Sequence, residues 1–205
     1  MIVTISREYG AAGLAVADGT AQALGYRLLT DDLPAAVAAR LGTSREAVAA
    51  RAGAEAPLAE RVLGGLEAGS PESIAGPPAS AIDPFDEDVR RELERSVREA
   101  AAAGDVVILG RMASVVLAGS PGMIRVFLTA PRAWRIERVC ETFGFTPQRA
   151  NAEIDRVDAR RRNYARARFG VVWGSPDGYD LVVDTSRFGI EGAVSLIVAA
   201  VQHAL

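Results

Sequence analysis

The chain has 205 residues, 49% of them apolar, and a formal net charge of −3, which suits one α/β domain with a modest insertion, the default, or two small domains, and gives no global attraction for nucleic acid or an anionic membrane. All 23 basic residues are arginine, so lysine-dependent chemistry is excluded, and any phosphate must be met by local arginine clusters and backbone amides. Cys140 and His203 are the only residues of their kinds. An internal disulfide and a thiolate metal cluster are thereby excluded, a reducing compartment is favoured, and the positions of these two residues on helical patterns fit packing and solvent exposure.

Ile2 to Ser6 reads as a short buried strand followed at once by polar residues, neither a signal peptide nor a bilayer span, so a cytoplasmic protein is expected. Apolar positions repeat at helical spacing from Ala11 to Leu24, and Gly25 ends that helix. Arg27 to Leu29 is a second strand leading to Thr30, Asp31 and Asp32, and two helices follow, Leu33 to Leu41 and Ser44 to Ala52 with Ser44 as N-cap. Residues 64 to 84 crowd Gly, Pro and Ser into a flexible loop that either covers a site or is a tolerated insertion.

Asp86 to Ala103 is a charged helix, and VVIL at 106–109 is a central parallel strand ending in Gly110-Arg111. Residues 123 to 130 form a fourth strand, 132 to 144 a helix, and 146 to 170 one long helix or two shorter ones opened by Thr146 and Pro147. Residues 179 to 185 are a fifth strand, and 189 to 204 a closing helix. Strands alternating with helices predict a parallel sheet covered on both faces, with ligands at the carboxyl ends of the strands. Those ends carry SREYGAAG, TDD, GRM, TAPR and DTSR.

At the first of them, a strand-to-helix turn gathers backbone N–H groups at the positive end of a helix dipole, which attracts phosphate. The lysine form of such a loop adds a mobile cation and a hydroxyl for Mg²⁺, but here Gly13 is followed by Leu14 and Ala15. GAAG alone is also what a tight packing turn needs. Arginines supply the missing charge: Arg7 ends the first strand, Arg111 the third, Arg132 and Arg135 open the helix after the fourth, and Arg160, Arg161, Arg162, Arg166 and Arg168 crowd the long helix. Their guanidinium forks pair with phosphate oxygens if the fold brings them together, whereas singly each suits a solvated face or a structural ion pair.

In order along the chain, ISREYGAAG, ALGY, ILGRMAS, VFLTAPRAWRIERV, DARRRNYARARFG and YDLVVDTSRFGIEGAVSLI resemble the cytidylate kinase-like proteins, a branch of the nucleoside monophosphate kinases within the P-loop fold. The resemblance implies one P-loop kinase-like domain over 1–205, a three-layer α/β/α arrangement on about five parallel strands. It also implies a helical acceptor-binding region over 30–100 and an arginine-rich lid over 150–178. ATP and Mg²⁺ are the implied cofactors. The implied reaction moves the ATP γ-phosphate to a small acceptor, by default CMP or dCMP, and the alternative is a catalytically silent nucleotide-binding protein.

Carried over residue by residue, Ser6, Arg7, Gly10, Ala11, Ala12, Gly13 and Leu14 hold the ATP phosphates, and Arg111 in GRM grips the acceptor as the arginine of GRD does. Arg160 and Arg162 are lid arginines that stabilise transferring charge, with Arg7 standing in for the loop lysine. Asp31, Asp32 and Arg135 are further acceptor contacts, although the two aspartates equally suit helix capping. The metal ligands are unassigned, and neither nucleic acid nor membrane is an expected partner; a homodimer is left open. This chain departs from the family pattern at Leu14-Ala15, where relatives have Arg-Glu, at Thr30, where they have aspartate, and at Met112, the place of the GRD aspartate.

Overall fold

The computed structural model describes residues 1–30, 33–44, 48 and 84–204. Asp31, Asp32, most of the expected 44–52 helix and the 64–84 loop up to residue 83 lie outside them. The chain divides into two compact units, one formed by Met1–Thr30 with Val97–Leu205, the other by Asp31–Ser96.

The larger unit is built on five parallel strands: β1 (Ile2–Arg7), β2 (Arg27–Leu29), β3 (Val106–Leu109), β4 (Met123–Thr129) and β5 (Leu181–Asp184). Their order across the sheet is β2-β3-β1-β4-β5, with Ile5 opposite both Leu109 and Val126 and Thr129 opposite Asp184. β1 lies at the centre, and its residues from Ile2 to Ser6 are all buried, as a strand covered on both faces requires.

The helices are α1 (Gly13–Leu24), α2 (Leu33–Leu41), α3 (Pro84–Ala102), the short α4 (Ala113–Val116), α5 (Arg132–Phe143), α6 (Pro147–Phe169) and α7 (Thr185–His203), with a 3₁₀ turn at Pro176–Gly178. α1 and α7 lie so close that a Cβ at Gly19 would stand 2.9 Å from Val194 Cγ2. Val16, Ala17, Ala193 and Ile197 from these two helices join Val3, Ile5, Val107, Val126, Leu128 and Val183 in one core. A fully buried Val or Ile of this kind contributes about 1.5–3 kcal/mol.

Local chemistry sets the helix ends. Thr146 accepts the Arg149 N–H at 3.3 Å, Pro147 takes the first helical position, and Gly170 closes α6 with φ 66°, so 146–170 holds one helix. A short helical turn that Asp184 caps through the Ser186 N–H at 2.9 Å precedes the Gly189 start expected from sequence and is joined to it in α7. Gly189, at φ 67°, is a kink inside the helix.

In the smaller unit, Val37, Ala38, Val48 and Val89 pack together with Leu41 and Leu93 against them. Arg40 Nη1 bonds the Glu92 carboxylate at 2.6 Å above this cluster. No helix of the described residues is long and apolar enough to cross a membrane.

Candidate active site

Beyond β1 the Glu8 N–H continues the ladder by donating to the Leu128 carbonyl at 3.0 Å. The Glu8 carboxylate then ties the chain to the end of β4: its Oε2 accepts from the Thr129 hydroxyl at 2.6 Å and from the Ala130 N–H at 3.2 Å. Tyr9 is held at both of its backbone polar groups. Its N–H donates to Asp158 Oδ1 at 2.9 Å, and its carbonyl accepts from Arg135 Nη1 at 3.2 Å.

At Gly10 the chain turns with φ 85° so close to α5 that a Cβ would stand 2.9 Å from the Arg135 carbonyl oxygen, which only glycine permits. Ala11 is buried, its N–H donates to the Glu8 carbonyl at 3.2 Å, and its carbonyl receives the buried Thr185 hydroxyl at 3.3 Å. The same hydroxyl lies 3.2 Å from the Thr129 carbonyl, so its single proton is shared between loop and strand.

Ala12 is the N-cap of α1 in a left-handed conformation, φ 55° and ψ 25°, and supplies no side-chain cap. A non-glycine residue there costs about 1–2 kcal/mol. The first-turn N–H groups of α1 thus start from a strained loop with no acidic side chain in that turn. Across them lies Arg7: a Cβ added to Gly13 would stand 2.6 Å from Arg7 Cγ, 3.0 Å from its Cδ and 3.2 Å from its Nε. Gly13 therefore makes room for an arginine stem where the lysine-bearing loop would carry its own side chain.

The adjoining strand is also strained at its end. Gly110, Arg111 and Met112 all have positive φ, 75°, 59° and 52°, directly after β3. Because Ile5 and Leu109 are opposite one another, Arg7 and Arg111 each stand two residues past the same paired position, Arg7 still paired with Leu128 of β4 and Arg111 beyond the end of β3. Two successive non-glycine residues in this region are found where the surrounding structure imposes them, commonly at functional sites.

The long helix α6 divides its arginines by phase. Ile154, Asp158 and Ala165 are its buried face, and at about 100° per residue Arg161 falls toward that side while Arg160 points about 200° away from Asp158. Arg160 and Arg162 are exposed. Arg161, 13% exposed, reaches the loop and donates to the Arg7 carbonyl at 2.8 Å. Arg135 is 7% exposed, with Nη1 on Asp158 Oδ2 at 2.7 Å, Nε on the Ala130 carbonyl at 3.1 Å and Nη2 3.5 Å from Glu8 Oε1. Arg132 makes a two-pronged pair with Asp155 and holds that carboxyl below the usual carboxylate range.

Of the residues expected from sequence, Arg7 and 10–14 assemble at one turn, with Ser6 buried beneath it. Arg111 stands two residues past the end of β3. Asp158, Glu8 and Thr185 hold the turn in shape and were not singled out from sequence, nor was Arg161 chosen among its neighbours. The signal for Asp158 and Arg161 was the helical phase set by Ile154 and Ala165.

The turn fits the phosphates of a nucleotide: free first-turn amides, a dipole end and one arginine stem converge on it. It does not offer magnesium a ligand set. Leu14 and Ala15 carry no oxygen, Glu8 and Asp158 already accept from protein donors, and no group of three metal-ligating side chains occurs among the described residues.

Solved structures share this architecture. A protein of Eubacterium ventriosum, solved as uncharacterized, superposes with a TM-score of 0.71 at 20% identity over 98% of both chains. A shikimate kinase from Bacteroides thetaiotaomicron does so with 0.56 at 12% identity, again over 98% of both. The fold is thus that of the P-loop kinases.

The cytidylate kinase-like family profile matches residues 2–187, and the chain belongs to that family. Cytidylate kinases of Pyrococcus horikoshii and Methanopyrus kandleri are 30% and 32% identical over 116 and 126 residues. Those matches cover 57% and 58% of this chain and 59% and 65% of the relatives, so the chain spans about three-fifths of the length of the curated relatives it matches.

Proposed function

We propose that the protein is an ATP-dependent phosphotransferase whose acceptor is a pyrimidine nucleoside monophosphate, CMP or dCMP by default, working on small molecules in the cytoplasm. The observation that carries this reading is the Arg7 stem laid across Gly13 at the start of α1, which supplies a cation to a lysine-free phosphate loop.

In the reaction, an acceptor phosphate oxygen attacks the γ-phosphorus of ATP, the bond from that phosphorus to the β,γ-bridging oxygen breaks, and ADP leaves with the electron pair. The transition state spreads negative charge over the transferring group, so positioning and charge neutralisation suffice. The amides of Gly10 and residues 12–14, with Arg7, take the β- and γ-phosphates, the Ala11 N–H being engaged by the Glu8 carbonyl; Arg111 takes the acceptor phosphate, and Arg160 and Arg162 the developing charge when the 150–178 segment closes. Arg135 belongs to the support of the loop, since its guanidinium is engaged by Asp158, Tyr9 and Ala130. Asp31 and Asp32 remain proposed acceptor contacts. The described residues offer magnesium no ligand set, so it would be held by ATP itself and would supply charge neutralisation only.

The test is transfer of label from γ-³²P-ATP to a panel of nucleoside monophosphates. Label on CMP and dCMP ahead of the purine nucleotides, at roughly 1–100 per second, is the expected result. ATP binding with no labelled acceptor would instead favour a silent nucleotide-binding protein.

A further inference from the structure

The peptide that follows Arg7 is held from the long helix. Arg161 Nη1 donates to the Arg7 carbonyl at 2.8 Å and stands 3.6 Å from Asp158 Oδ1, which itself accepts from the Tyr9 N–H. The Arg161 guanidinium lies 5.9 Å from the centroid of the Trp173 ring. Trp173 in turn meets Phe127 edge-on at 5.2 Å, and Phe127 sits opposite Ser6 in the sheet.

Arg161 therefore rests between a carboxylate that compensates its charge and an aromatic face, with an Nη1 donor given to a main-chain oxygen. The Arg7 carbonyl and side chain leave the same Cα, so fixing that peptide also fixes the direction in which Cβ and Cγ run over Gly13.

We propose that Arg161 is a positioning residue for the phosphate loop: by tying the Arg7 carbonyl to Asp158 it aims the Arg7 side chain at the donor phosphates, without being the charge that meets them. This rests on the phosphotransferase reading only in taking the turn as the seat of the donor phosphates. In the sequence Arg161 stands in a run of three arginines on one helix, and only helical phase separates it from its neighbours.

The test is a double-mutant cycle on the full chain by calorimetric titration, with Mg-ATP and with inorganic tripolyphosphate as probes, using wild type, Arg7→Ala, Arg161→Met and the double variant. If Arg161 acts through Arg7, Arg161→Met weakens binding of both probes about tenfold in the wild-type background and by less than about threefold once Arg7 is gone. A merely structural role would loosen the loop amides as well and would persist without Arg7. Equal losses in the two backgrounds overturn the inference and leave the donor seat intact. Absence of binding of either probe to the wild type overturns both the inference and the donor seat. Should Arg161→Met not fold, Arg161→Lys, which keeps the charge and loses the planar fork, replaces it, and the same non-additivity with Arg7→Ala is required.

Discussion

Arg7 Cγ occupies the space that a Cβ on Gly13 would fill, at 2.6 Å from the ideal position of that atom. The two residues are thus a matched pair: the loop forgoes a side chain at the helix start so that an arginine six residues earlier can cover it. Gly13→Ala is expected to displace Arg7 and weaken Mg-ATP binding about tenfold. Alanine is a better helix former than glycine by about 1 kcal/mol, so the stability of α1 should not fall correspondingly. Calorimetry beside thermal unfolding separates the two effects.

The Arg135–Asp158 pair is buried, 7% and 3% exposed, and grips Tyr9 by its carbonyl and its N–H. Removing one partner leaves an uncompensated charge in the interior, so Asp158→Asn or Arg135→Met should cost about 3–5 kcal/mol in urea unfolding. The double replacement Arg135→Met with Asp158→Leu should recover part of that stability. It should not recover ATP affinity, because Tyr9 then has lost both of its partners.

Asp184 caps α7 and gives a pH signature. The Ser186 hydroxyl bonds its carboxylate at 2.6 Å, and with the Ser186 and Arg187 backbone amides this holds the carboxyl below the ordinary aspartate range against the cost of burial. A carboxyl whose folded value is depressed adds stability that is present above its unfolded pKa, about 3.9, and is lost as pH falls through the lower folded value. Asp184→Ala should therefore cost about 1 kcal/mol near pH 7. In unfolding measured down to pH 2 the gap to the wild type should close, not widen.

Ala12 holds φ 55° at the helix start without a side-chain cap. Glycine removes the left-handed penalty of about 1–2 kcal/mol but gives the unfolded chain about 0.4–1 kcal/mol more entropy to lose. Ala12→Gly should accordingly stabilise the protein by roughly 0.5–1 kcal/mol, read as a shift in urea midpoint at constant slope.

The sheet was legible because its strands are mainly apolar with a polar or glycine stop, most clearly the continuous run Val106–Leu109 ending at Gly110-Arg111. The phosphate turn was legible from its place between the first strand and helix together with its glycines. What sequence concealed was side-chain direction. Asp158 reads as one more charge on a polar helix until the phase of Ile154 and Ala165 places it on the buried face. Likewise Arg135 reads as an available cation, while its guanidinium is taken by acceptors 5 to 23 residues along the chain and by Tyr9 and Glu8, 126 and 127 residues back. The break at Gly189 was legible and is present, at φ 67° and ψ −178°, while the short turn that Asp184 caps ahead of it was not read from the sequence.

The central question is whether a lysine-free loop transfers phosphate with Arg7 as its cation. Single-turnover transfer of the γ-phosphate from ATP to CMP, measured for the wild type beside Arg7→Ala, asks this directly. Transfer by the wild type and a rate at least about a hundredfold lower in Arg7→Ala are predicted, the loss that follows from removing one preorganised charge at the transferring group. Equal rates in the two proteins would contradict it.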